Sequence, residues 1–201
     1  MRRSLLLLGA CAFLVGCHQH PLTDYRPLDH AGMNSGTVEQ LKKLNTSDTE
    51  VLQLVKLKNS GVTDDTCVAL LTRARQHQLV FSSADSTISL ARAGFTEAQI
   101  LDIAANNQLD TISGEAVTLR LIGLSDSTVQ LLLQRHMQGQ PTLSSGQISR
   151  LKNTGLTERQ ILDRINAGMT EDAADKEIIQ REAQRNHANT GFTRVRGRKP
   201  R

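Results

Sequence analysis

The sequence predicts an all-α protein built from tandem short helix-turn-helix repeats, stacked as a small α-solenoid or a helical bundle. The first observation behind this is a recurring hexad: Asn59-Ser60-Gly61-Val62-Thr63-Asp64, Arg92-Ala93-Gly94-Phe95-Thr96-Glu97, Leu121-Ile122-Gly123-Leu124-Ser125-Asp126 and Asn153-Thr154-Gly155-Leu156-Thr157-Glu158. Its glycines lie 33, 29 and 32 residues apart, and a shorter copy, Gly168-Met169-Thr170-Glu171, follows after 13. The second is composition. Aromatic residues make up 2% of the chain and Trp is absent, so aliphatic residues must fill the core, which suits helices better than sheets. The third is an apolar period on both sides of each hexad, such as Val51, Leu52, Leu54 and Val55 before Gly61 and Val68, Leu70 and Leu71 after it.

The residue types inside the hexad explain the turn. Glycine takes the left-handed conformation that ends one helix. Two residues on, Thr or Ser caps the next by accepting a backbone N–H. An acid in the first turn suits the positive end of the helix dipole and is worth a few tenths of a kcal/mol there (~0.3 or more). Thr96 with Gln99 and Thr157 with Gln160 have capping-box spacing. The pairs Val62/Cys67, Phe95/Ile100, Leu124/Val129 and Leu156/Ile161 have the spacing of a hydrophobic staple.

Along the chain the elements follow in order. Arg2 and Arg3 precede an apolar run, Leu5 to Val15, too short to span a bilayer as a permanent helix. It ends in Leu14-Val15-Gly16-Cys17, which resembles the lipobox of bacterial lipoproteins. That resemblance covers residues 1–17 and implies a signal peptide over 1–16, cleavage after Gly16, and acylation of Cys17 as the first mature residue. Leu8-Gly9-Ala10-Cys11 is a rival that leaves only Leu5 to Leu8 as apolar core. Residues 17–36, with Pro21, Pro27, Gly32 and Gly36, read as the acylated cysteine and a flexible tether. A helical repeat domain is expected over 37–189, opening on a capping box at Thr37-Val38-Glu39-Gln40. Connectors fall at Leu79–Ser83, Leu109–Ser113 and Gly139–Ser145, and a last helix runs from Glu171 to about Arg185. Residues 190–201 read as a basic, disordered tail.

Charge divides the same way. Arg2, Arg3 and the six cations beyond residue 182 are eight of the 24 basic residues, so residues 17–182 hold 16 bases against 20 acids. A mildly acidic body carries a basic tail. Arg194, Arg196, Arg198, Lys199 and Arg201 are the candidates for contact with a polyanion, either anionic lipid or an envelope polymer.

Few residues point to chemistry. Cys67 occupies a staple position and reads as core. His18, His20 and His30 lack a fourth ligand at metal-site spacing, so no metal or other cofactor is expected. His77 and His136 sit at helix C-termini, where the dipole favours them. Asp64, Asp65, Glu97, Asp126 and Glu158 could be taken for catalytic carboxylates, but they are first-turn acids, and no nucleophile-elbow, zinc-protease or Walker motif accompanies them. No catalytic residue is assigned, and a non-enzymatic protein is expected. Ile88 to Ile100 is similar to the alanine–glycine–apolar turn of DNA-binding helix-turn-helix motifs, and Ala93-Gly94-Phe95 to that of ubiquitin-associated domains. Thr96 to Asn107 has no Lys or Arg, so a nucleic-acid partner is not expected. The repeat period invites comparison with tetratricopeptide repeats, whose Trp, Gly and Tyr signature is missing.

The expectation is therefore a lipid-anchored envelope lipoprotein that binds or scaffolds another envelope protein, held at the outer membrane, with the inner membrane as the alternative. His18 after Cys17, where Asp would favour retention in the inner membrane, is what the lipoprotein resemblance uses to choose. The rival from another class is a cell-wall hydrolase with its carboxylates among the first-turn acids.

Overall fold

Each hexad ends one helix and opens the next, as its chemistry requires. A computed structural model describes residues 23–195, with side chains as far as residue 187. Eleven helices follow within it: α1 (Arg26–His30), α2 (Ser35–Lys43), α3 (Asp48–Asn59), α4 (Asp64–Gln76), α5 (Ala84–Arg92), α6 (Glu97–Ala105), α7 (Leu109–Leu121), α8 (Asp126–Met137), α9 (Ser145–Asn153), α10 (Glu158–Asn166) and α11 (Glu171–Val195). No strand occurs among the described residues, and none of their helices is long and apolar enough to cross a membrane.

The junction at Gly94 shows how the turn works. Gly94 has φ +88°; its N–H donates to Ala91 O at 3.0 Å, and Phe95 N–H donates to Leu90 O at 3.1 Å. These two bonds satisfy carbonyls left over at the end of α5 and reverse the chain. Thr96 then accepts from Gln99 N–H, and Gln99 returns the bond to Thr96 N–H, so the expected capping box forms. Thr157 with Gln160 does the same at α10. The eight staple residues, Cys67 included, are each at most 6% exposed.

The chain folds earlier than expected. Residues 17–22 lie outside the described residues, but from Arg26 the supposed tether is helical: Leu28 is fully buried and Met33 is 4% exposed. The Thr37 capping box is replaced by Asn34, whose side chain accepts from Thr37 N–H and opens α2 at Ser35. Gly32-Met33-Asn34, with Val38 at the staple position, is a first copy of the junction, 29 residues before Gly61. Gly32 has φ +80° and Met33 N–H donates to Leu28 O, as Val62, Phe95 and Leu156 do in the copies at Gly61, Gly94 and Gly155. The repeat domain thus begins at Arg26, not residue 37. Two further boundaries move. Leu109–Ser113 is the first turn of α7, with Leu109 and Ile112 in the core, and the connector before it is Asn106–Gln108, with Asn107 at φ +53°. The final helix continues to Val195, past the Arg185 end and into the stretch assigned to the tail.

Five helix pairs result: α1–α2, α3–α4, α5–α6, α7–α8 and α9–α10, with α11 beyond them. The members of each pair pack together. Odd-numbered helices form one unbroken row in which α1, α3, α5, α7, α9 and α11 each pack on the next. Among the described residues no helix packs on one more than two positions away in the chain, so the array is a stack of neighbours and not a closed bundle. One aliphatic core runs its length, from Leu28 to Ile178.

The glycines make opposite predictions. Gly94 needs a left-handed backbone but has open space where a Cβ would lie, so Gly94→Ala should destabilise by about 1 kcal/mol. Gly114 lies inside α7 with the same open space and no positive φ, so Gly114→Ala should stabilise by roughly 0.5–1 kcal/mol. Urea unfolding midpoints that move in these opposite directions would bear this out.

Candidate functional site

The first-turn acids reach across repeats, beyond their own helices. Asp64 Oδ2 accepts from Asn34 N–H at 2.9 Å and from Asn34 Nδ2 at 2.8 Å. Glu97 accepts from Thr63 N–H at 2.8 Å and from the hydroxyls of Thr63 and Thr66, both at 2.5 Å. Glu158 accepts from Ser125 N–H at 3.1 Å and from the Ser125 hydroxyl. Each carboxylate therefore holds the N-cap of the repeat before it. Burial pushes the Asp64, Glu97 and Glu158 carboxyls up, yet hydrogen bonds from Lys58 and Asn34, from the threonines, and from Ser125 and Thr128 bring all three below their ordinary values.

Asp126 is the exception. Its side chain is 70% exposed and pairs with Arg120, whose guanidinium lies 4.7 Å from the Phe95 ring centre. Thr96, the cap that Asp126 would reach, is closed by its own Gln99. The even row breaks at the same place. Helices α2, α4 and α6 pack in succession, but the backbones of α6 and α8 stay apart. The backbones of α8 and α10 are also apart, but side chains bridge them: Glu158 to Ser125, and Arg135 to Asn166 at 2.7 Å. Among the described residues no hydrogen bond or ion pair crosses from α6 to α8.

The result is an open groove of about 490 Å³. Helix α6 presents Gln99, Asp102, Ile103 and Asn106 to it, a stripe at i, i+3, i+4 and i+7. Helix α8 presents Gln130, Leu133, Gln134 and Met137 in the same spacing. Phe95, Ile103 and Leu133 are buried and form an apolar floor, while Asp102, Asn106, Gln130 and Gln134 are exposed along the rim. Asp102 is the one charged residue in the lining.

A second polar cluster is structural. Glu50 is 1% exposed and closes the capping box of α3 with Ser47. It also takes two bonds from the Arg75 guanidinium, at 2.7 and 2.6 Å, and one from Phe81 N–H at 2.8 Å. Burial would raise its carboxyl, but Arg75 and the Ser47 and Phe81 amides outweigh that and hold it at about 2.

The remaining candidates fall as follows. Cys67 is fully buried, and burial pushes its thiol up to about 12, so it is a core residue. His77 is the C-cap of α4, with Nε2 3.1 Å from Ala105 O, and His136 faces Glu115 at 3.4 Å. Asp65 is exposed in the first turn of α4. His30 ends α1, and no cluster of three metal-ligating side chains occurs among the described residues. Gly16, Cys17, His18 and His20 lie outside the described residues, as do the side chains of Arg194, Arg196, Arg198, Lys199 and Arg201. Sequence reasoning missed the groove because it appears only when two stripes from helices two positions apart face each other. No protein-family model, curated protein or solved structure matches the chain.

The cross-repeat bonds raise what the acids contribute. Glu97→Gln should cost about 1–2 kcal/mol at pH 7, not the few tenths expected of a dipole partner, because three donors lose a charged acceptor. Glu50→Gln should cost about 3 kcal/mol by leaving Arg75 without its counter-charge. Glu50 titrates lower in the folded chain than its ordinary 4.5, so its stabilisation is complete above that value and is lost as pH falls toward about 2. The gap between wild type and Glu50→Gln in urea midpoints should therefore close over that window; a constant gap would contradict the assignment.

Proposed function

We propose that this chain is a lipid-anchored envelope protein that binds another protein through its helical array and does no chemistry of its own. The observation that carries the binding half is the gap between α6 and α8: beside an unbroken odd row, two facing stripes stand open with no side chain bonded across them, with amides on the rim and an apolar floor. Stacked repeats commonly bind through such extended faces. The first-turn acids support the non-enzymatic reading over a hydrolase, since Asp64, Glu97 and Glu158 are committed to helix caps. The anchor half rests on Leu14-Val15-Gly16-Cys17. Acyl chains on Cys17, each buried CH₂ adding about 0.8 kcal/mol, would hold the array at the membrane, the outer one by the residue that follows the cysteine.

Metabolic labelling with a fatty acid tests the anchor. Wild-type chain should carry the label and sediment with outer-membrane vesicles, whereas Cys17→Ala should be unlabelled and keep its leader. Labelling and processing that survive the substitution would sink the anchor.

The tail supplies a second, salt-sensitive hold. Five cations among its last eight residues, each worth about 1 kcal/mol near an anionic surface, act within a Debye length of roughly 8 Å. Truncation after Gly191 should weaken binding of the unacylated chain to anionic vesicles at low salt. Equal binding of both forms would make the tail a merely solvated end.

A further inference from the structure

We infer that the groove between α6 and α8 takes an extended polypeptide segment of a partner protein, with a lysine or arginine of that segment placed against Asp102. The inference rests on the binding-module reading and names its ligand. Its first ground is the rim. The side-chain amides of Gln130 and Gln134 and the Asp102 carboxylate have no hydrogen-bond or ion-pair partner among the described residues. A primary amide carries both donors and an acceptor, as a peptide unit does. An extended chain brings unpaired N–H and C=O groups, which the two free amides on the α8 wall can meet, while on the α6 wall Gln99 and Asn106 already bond to Thr96 N–H and Asp102 O. A helix has already satisfied its own backbone and would rely on a groove that is apolar throughout.

The second ground is charge. Asp102 is exposed and is the only ionised side chain in the lining, so the groove attracts a cation and repels an acidic segment. The third is size. Seven residues of helix span ~11 Å, which is the length of roughly three residues of extended chain. Met137, half-buried in the lining, gives one apolar side chain of the segment a seat. Sugars would also bond to amides, but they pack on exposed aromatic faces, and Phe95 is only 5% exposed.

Fluorescence polarisation on the full chain in mild detergent tests this. The probes are capped octapeptides of Ala, Val, Ser and Thr with a central Lys, the same set with central Glu or Ala, a lactam-stapled helical set with central Lys, and chito-oligosaccharides. Extended Lys peptides should bind most tightly. Gln130→Ala with Gln134→Ala should weaken them at least tenfold, while Gln184→Ala on α11 leaves them unchanged. Asp102→Asn should remove the preference for Lys over Ala. Circular dichroism of these surface variants should match wild type, so that a loss of fold is not mistaken for a loss of contact. Peptide binding that survives the double substitution overturns the groove and leaves the binding-module reading standing. Tighter binding of helical peptides or oligosaccharides overturns the extended-peptide ligand. Self-association abolished by truncation after Gly191 would make the occupant the tail of a second copy and overturn the partner. Failure of every probe, and of any self-association, overturns the ligand and the module together.

Discussion

The structure depends on one reversal, repeated along the chain: a left-handed residue ends a helix, an apolar residue follows it into the core, and a polar cap starts the next helix. An isolated pair such as α5–α6 has too few residues to hold its own fold, because short helices gain little until a face is covered. The reversal lays the two helices together and aims the staple residues inward. It also places the first-turn acid where the preceding N-cap can use it. Phe95 and Ile100, or Leu156 and Ile161, are buried where the turn sets them, at the inner end of each helix pair. Stacking then follows, since each pair leaves an apolar side that only another pair can cover.

The carboxylates convert this stack from a purely apolar assembly into one with a register. Asp64, Glu97 and Glu158 each reach the cap of the repeat before them, and a slip between repeats would strand both acid and cap. Asp126 answers to Arg120 instead, and Arg120 also covers Phe95. The odd row continues past this point unbroken through α5, α7 and α9, so the array stays connected while its even face opens. The acid-to-cap bond is thus missing at the junction where the open groove lies, with the same turn chemistry on both sides.

Much of this was legible in the sequence. The hexads announced the helix class and the turns. Their staple spacing named eight residues that the core contains, Cys67 among them. The first repeat was hidden by its cap: Asn34 stands where the others have Thr or Ser, no acid follows it, and two prolines nearby suggested a tether. Pro27 in fact occupies the start of α1, where a missing N–H costs nothing. Met33 and Val38 at staple spacing were the signal that could have found it. The connector before α7 lies at Asn106–Gln108 because the turn there uses left-handed Asn107 in place of glycine, so no hexad marks it, and Leu109 and Ile112 enter the core as the first turn of the helix. The groove was beyond reach for another reason. Nothing in the sequence pairs Gln130 and Gln134 with the stripe on α6, and only the distance between two helices makes them the walls of a groove.

The most direct measurement of the central claim is the spacing of the even row. Asp65, Ala98 and Ser127 hold the same exposed position, the second residue of α4, α6 and α8. Nitroxide labels on cysteines at 65 and 98, and separately at 98 and 127, with Cys11 and Cys17 replaced by Ala, would report both gaps by pulsed electron paramagnetic resonance. Buried Cys67 would be left in place. An open groove requires the 98–127 distance to exceed the 65–98 distance. Equal distances would mean that α6 and α8 close like their neighbours, and the site would not exist.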